Sequence, residues 1–267
     1  MTDIAKVTQK AIGSGTMQIA ENHMHYEGLS PEQASKLAID LFMDNFPKLQ
    51  AVAREVVLER MKELVEEVVR KIEEKYAGDY SAFSDPDMQC ALYEAQKGYA
   101  RRGTKELCDL LSSLLAERSA CQEDDYLKII LNRAIEIAPN LQQSHLDYLS
   151  LIFVYKHVKW NNIETVEDIR KKYREIEGAF VAPPNTYAAR TFTDSFGLTV
   201  LTIASGKKVI AQTYGLEEEE IEKVLPSEYA NVPSDYALSH VGIALAIFNA
   251  RTKIQGTFDL KEFIRTY

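Results

Sequence analysis

Residues 57–72 read VLERMKELVEEVVRKI, and the reading of this stretch decides the fold. Val57, Met61, Leu64, Val65, Val68 and Ile72 recur at intervals of three and four, which places them on one stripe of an α-helix. Glu66 with Arg70 and Glu67 with Lys71 stand at i,i+4, so they are expected as charge pairs on the wet side. Gly78 ends the helix. One apolar stripe on a long helix needs other helices to cover it, and the flanking sequence supplies them.

Upstream, Ser30-Pro31-Glu32-Gln33 offers an N-cap hydroxyl, a proline at the first helical position and a side chain at N3 that can reach back to the cap amide. Leu37, Leu41 and Phe46 form the expected inner side of that helix, and Pro47 kinks or restarts it. Downstream, Ser84-Asp85-Pro86 caps a helix carrying Met88, Leu92, Ala95 and Tyr99, which Gly103 stops. Thr104 opens another, with Leu107, Leu111, Leu114 and Leu115 inside. Tyr126–Ile137 and Leu146–Val154 are apolar on nearly all sides, as in the middle of a bundle, with Pro139 between them. A charged helix spans Thr165–Glu177, and Pro183-Pro184-Asn185 marks a break.

Beyond the break, Leu198–Ala204 and Lys207–Thr213 are β-rich runs joined by Ser205-Gly206, which predicts a hairpin, with a buried helix as the competing reading of the first run. Leu216–Leu225 reads as a short acidic helix and Tyr236–Ile254 as a longer one, with Gly242 its weak point. Twelve glycines and eight prolines in 267 residues are few for a turn-rich β protein. The expected class is therefore mainly α. A helical domain at residues 30–180 stands behind a β-like N-terminal arm at residues 1–29, with a smaller α+β domain at residues 181–267.

The formal charge of −9 argues against nucleic-acid or anionic-membrane binding, which need a basic field. Nowhere do about 18 apolar residues run together, and Met1–Lys6 has no basic segment leading into an apolar one, so a cytoplasmic protein is expected. Cys90, Cys108 and Cys121 form no C-x-x-C pair and read as reduced thiols in or beside apolar helices.

The succession of an arm with Gly13-Ser14-Gly15 and Met17-Gln18-Ile19-Ala20, then Gly28-Leu29-Ser30, Asn45-Phe46, Ser84-Asp85-Pro86-Asp87-Met88-Gln89 and Ala95-Gln96-Lys97-Gly98-Tyr99-Ala100-Arg101, resembles an uncharacterised bacterial family known by locus-tag names. Further segments, from Leu110-Leu111 to Asp259-Leu260, extend the resemblance over most of the chain. It implies a bacterial, cytosolic, largely helical protein without an assigned active site. Arms of this kind also stand at the front of proteins from phage-defence systems.

Candidate chemistry is sparse. His23-x-His25 has metal-like spacing on a strand, with Glu21 on the same face, but two imidazoles are too few and no metal site is assigned. Glu94, Gln96, Tyr99 and Arg101 concentrate polar groups on one helix, a possible polar site that inter-helix hydrogen bonds explain equally well. The cysteines with His145, His157 or His240 form no recognisable nucleophile arrangement. No phosphate-binding, dinucleotide or H-E-x-x-H motif occurs in the sequence, so no catalytic residue and no cofactor is expected. Leu238-Ser239-His240-Val241-Gly242 resembles a winged-helix turn, yet the acidic Glu217–Glu220 stands where a basic recognition helix would be needed.

The alternating Thr16–Tyr26 presents Met17 and Ile19 on one face. Met17, Ile19, His23, His25 and Tyr26 are the expected self-association residues, because strand edges without partners pair with neighbours. The function expected is a non-enzymatic interaction or regulatory protein that forms a homo-oligomer, with a protein partner encoded nearby. The alternative is a phage-defence sensor or effector with an unrecognised hydrolytic site.

Overall fold

Helix boundaries follow the local signals closely. Ser30 caps α1 (Pro31–Asn45): the Gln33 amide donates to Ser30 Oγ at 3.3 Å, and the Ser30 amide donates to Gln33 Oε1 at 2.9 Å. After α2 (Ala51–Tyr76) and a 3-10 turn at Ser81–Ser84, Asp85 caps α3 (Pro86–Arg102), accepting from the Asp87 amide. Gly103, at φ 60°, ends α3, and Thr104 caps α4 (Lys105–Ala120). The computed structural model describes residues 30–45, 51–121, 125–161, 163–181, 185–202, 206–224, 236–256 and 258–264. The arm therefore lies outside the described residues, as do Phe46 and Pro47.

The chain continues through α5 (Asp125–Ile137), α6 (Gln143–His157), α7 (Val166–Ala179) and α8 (Thr186–Ser195). There follow β1 (Thr199–Leu201), α9 (Gly206–Tyr214), α10 (Glu218–Val224), β2 (Tyr236–Leu238), α11 (His240–Arg251) and α12 (Leu260–Phe263). It is a mainly α multi-helix bundle with a smaller α+β C-terminal part. Among the described residues its sheet has two antiparallel strands, with Thr199 opposite Leu238, Val200 opposite Ala237 and Leu201 opposite Tyr236.

The stripe of α2 packs on α4, with α1 and α3 alongside, and every residue from Val57 to Ile72 named for that stripe is buried. The inner faces expected for α3 and α4 are buried as well. α5 lies on α4 and α3. α11 packs against α6, α5 and α4, and residues 242–250 are all buried, so a C-terminal helix completes the core that the first helices begin. α8, α9 and β2 cover α6, and α10 lies on α9 and α7.

Four expectations are corrected. The inner face of α1 is Ala34, Ala38 and Phe42, while Leu37 and Leu41 are half-buried flanks; small alanines let α1 come close enough for Gln96 Nε2 to donate to the Ala38 carbonyl at 2.9 Å. Lys71 is buried instead of pairing with Glu67; Arg70 takes Glu67 at 2.6 Å and Glu74 at 2.7 Å. The hairpin is absent, because Lys207–Thr213 lies within α9, where Ile210 and Ala211 are buried and Tyr214 half-buried, spaced as on a helix. β1 instead pairs with β2, so Tyr236–Leu238, read as helix, is strand, and the helix begins after Ser239, whose hydroxyl accepts from the Gly242 amide at 3.2 Å.

Candidate functional site

Several polar groups turned into the bundle are paired with one another, whereas the Tyr148 hydroxyl, Trp160 Nε1 and Arg190 Nε are buried without a hydrogen-bond partner among the described residues. Lys71 Nζ donates to the Asp109 carbonyl at 2.8 Å, Ser112 Oγ at 2.7 Å and Ser113 Oγ at 2.9 Å. Three acceptors use all three ammonium donors, and the hydroxyls pass their own protons to the Cys108 and Asp109 carbonyls at 2.6 and 2.7 Å. Burial lowers the Lys71 pKa, opposed by the Asp109 charge. A lysine beside two serines could in principle activate a hydroxyl, but these hydroxyls receive a hydrogen bond from nitrogen instead of giving it one.

Asp147, fully buried on α6, is saturated likewise. Its carboxylate accepts from Gln143 Nε2 at 2.8 Å, Asn249 Nδ2 at 3.0 Å, the Val181 amide at 2.9 Å and Lys253 Nζ at 2.7 Å. Asn249 Nδ2 also reaches Ser150 Oγ at 2.8 Å, which ties α6 to α11. Arg118, buried at the end of α4, donates to Asn132 Oδ1 at 3.0 Å and to both Asp85 and Asp87. Such networks join helices to one another.

The residues of the possible polar site take separate partners. Glu94 pairs with Lys97 at 2.7 Å, and Gln96 is buried on α1. Tyr99 donates to Glu63 Oε2 at 2.6 Å, and Arg101 is exposed in the last turn of α3. Burial and the bond to Glu63 push the Tyr99 hydroxyl pKa up, and burial pushes the neighbouring Cys108 thiol up to about 11, which keeps it protonated and unreactive. His145 stacks on Phe192, His157 on Phe153, and His240 meets Tyr126. Trp160 packs against Phe258 beneath the Lys172 ammonium. Met17, Ile19, His23, His25 and Tyr26 lie outside the described residues. Among the described residues no group of three or more His, Cys, Asp or Glu side chains could hold a metal ion.

A further feature is at the surface. Asn185 caps α8, its Oδ1 accepting from the Ala188 amide at 2.9 Å, and α8 leads into β1 through Gly197 at φ 68°. The Arg190 guanidinium lies over the Tyr187 ring at 5.0 Å and the Tyr236 ring at 4.7 Å, so α8 is clamped to β2 by an arginine between two aromatic faces. Leu201 stands opposite Tyr236 on the same sheet face. Tyr187 is 67% exposed, Val200 52% and Leu201 72%, with Phe192 also exposed. Large apolar side chains brought together at a surface mark a contact site more often than scattered ones do. Sequence reasoning missed α8 altogether. Its signals were the Asn185 cap and Ala189 and Thr193, buried four residues apart.

The fold and these clusters define an α-helical bundle protein with hydrogen-bonded networks between its helices and exposed large apolar side chains on α8 and β1. A family model matches residues 28–234, well over half of the chain, and the chain belongs to that family, an uncharacterised one carrying only a locus-tag-style "-like" description. No curated protein and no solved structure matches it. Among the described residues no helix is long and apolar enough to cross a membrane.

Proposed function

We propose that this is a non-enzymatic interaction or regulatory protein of the bacterial cytosol that self-assembles through its N-terminal arm. The observation that supports this reading most directly is the contrast between interior and surface. Lys71, Asp147 and Arg118 are hydrogen-bonded within the bundle, whereas Tyr187 on α8 and Val200 and Leu201 on β1 are large apolar side chains that stand exposed. The arm adds a run, Thr16–Tyr26, whose alternating sequence would put Met17 and Ile19 on one face of a strand. The test is the molar mass of the full chain against that of the Ile19→Asp variant. A mass that falls to that of one chain in the variant is expected; an unchanged mass overturns the reading.

A second reading, a phage-defence sensor or effector with a hydrolytic site, has one specific observation in its favour. Lys71, its pKa lowered by burial, contacts the half-buried Ser113. Treatment with a fluorophosphonate separates the two. The interaction reading predicts no covalent adduct on Ser112 or Ser113 by mass spectrometry, and an adduct on either would favour the hydrolytic one.

A further inference from the structure

We propose that the outer edge of β1 is the seat for residues 16–26 of a neighbouring copy of this chain, which add to the sheet as a third strand. The inference rests on the self-assembly reading above and names the surface that receives the arm. Along one edge β1 pairs with β2, and β2 is held against α6 and α11. Among the described residues the opposite edge of β1 has no paired strand. A sheet of two three-residue strands is marginal in water, and an added strand completes it through main-chain hydrogen bonds.

Thr199 is buried with its hydroxyl on Asp194 of α8, and the other two side chains of β1 are open. Val200 and Leu201 point to opposite faces, as successive residues of a strand do, and both are exposed. Edge strands are ordinarily protected by a lysine, a proline or a covering element, and Thr199-Val200-Leu201 contains neither residue. α8, which contacts β1, carries the exposed Tyr187 and Phe192 as well.

The proposed occupant is Thr16-Met17-Gln18-Ile19-Ala20-Glu21-Asn22-His23-Met24-His25-Tyr26. It has no proline, no glycine, no lysine or arginine and a single acidic residue. It is therefore compatible with a strand ladder and carries little charge to repel an apolar edge. Only residues 27–29 separate this segment from Ser30, a span of at most roughly 14 Å when extended, so the proposal requires the β1 edge of the neighbouring copy to pack close to the start of α1. The arm joins α1, which packs on α2 and α3, whereas β1 lies with α8 and β2 over α6.

Full-length variants Val200→Lys, Leu201→Lys and Ile19→Asp, compared by light scattering and circular dichroism, test the proposal. Wild-type helicity with particle mass reduced at least twofold in all three is expected. Reduced mass in Ile19→Asp with wild-type mass in both β1 variants would overturn the β1 seat and leave self-assembly standing. Wild-type mass in Ile19→Asp would overturn both. Because the β1 variants could disturb the sheet, a second measurement uses Cys90→Ser chains with one added cysteine at Met17, Ile19 or Glu21 and one at Val200 or Leu201. Disulfide-linked pairs of chains after mild oxidation support the proposal. Links confined within one chain, or no link at any pairing, overturn it.

Discussion

Arg118 ends α4 with its guanidinium enclosed, yet the carboxylates of Asp85 and Asp87 that it meets are partly exposed. Removing either side of such a group has unequal consequences. Without Arg118 the aspartates can hydrate, whereas without Asp87 a buried cation loses its main acceptor and Asn132 Nδ2 loses its bonds of 2.9 and 3.0 Å. Asp87→Ala is therefore expected to cost about 2–4 kcal/mol in urea unfolding, well above the cost of an ordinary surface aspartate. A loss under about 0.5 kcal/mol would contradict the assigned geometry.

Asp87 and the histidines of α6 set a pH dependence with two limbs. Hydrogen bonds from Asn132, then Arg118, hold the Asp87 carboxyl below the ordinary carboxylate range. Its folded value lies under its unfolded one, so its contribution is present above about pH 4 and is lost as pH falls through the folded value. Burial, and then the Arg102 charge, lower the His145 pKa, and His145 Nδ1 accepts from the Gln142 amide at 3.2 Å at the start of α6. Its contribution is complete above about pH 6.5 and declines as pH drops through the lowered folded value. Burial, and then the Lys156 charge, lower the His157 pKa too, so melting temperature followed from pH 7.5 to 3 should fall in two steps, and His145→Gln should reduce the upper one and leave the share of His157. A variant that keeps that step in full would assign it to another group.

At the scale of elements, two glycines inside helices have close neighbours instead of conformational work. A Cβ on Gly242 would stand 2.1 Å from the Leu198 carbonyl oxygen, and one on Gly98 would stand 2.1 Å from Cγ of Pro139. Leu198 O accepts from the Ser239 amide at 2.9 Å, so the contact at Gly242 fastens β1 to the start of α11. Helix propensity alone predicts that Gly242→Ala gains up to about 1 kcal/mol. The close approach predicts a loss of about 1–3 kcal/mol, which chemical unfolding would resolve from a gain. Ser30→Ala, which removes one half of a reciprocal cap, should cost about 1 kcal/mol.

These elements also show how far a sequence carries. The stripes of α2, α3 and α4 were legible because apolar spacing and helix caps are local properties of the chain. The burial of Lys71 was not, because its acceptors are two serines and a carbonyl some 40 residues away, and a charged residue at i+4 from Glu67 has the pattern of a surface pair. Nor was the pairing of β1 with β2, whose register joins residues 199 and 238 across two intervening helices. Glu94, Gln96, Tyr99 and Arg101 were correctly seen as polar, but their partners are decided by which helix covers each side of α3.

At the scale of the whole molecule, the buried core runs from Ala34 in α1 to Ile264 after α12 and uses α11 to join the first helices to the last. The thiols at positions 108 and 121 are buried. The protein's melting temperature is expected to be unchanged by EDTA or reductant. A fall of more than about 4 °C, the scale at which 1 kcal/mol shows in a domain, would require a metal or disulfide contribution. The central claim is that the arm assembles copies of a chain whose core stands without it. Light scattering on the full chain and on a chain beginning at Gly28, each first checked for helicity, tests this most directly. The account predicts an oligomer for the first and a folded single chain for the second; equal numbers of chains per particle in both would contradict it.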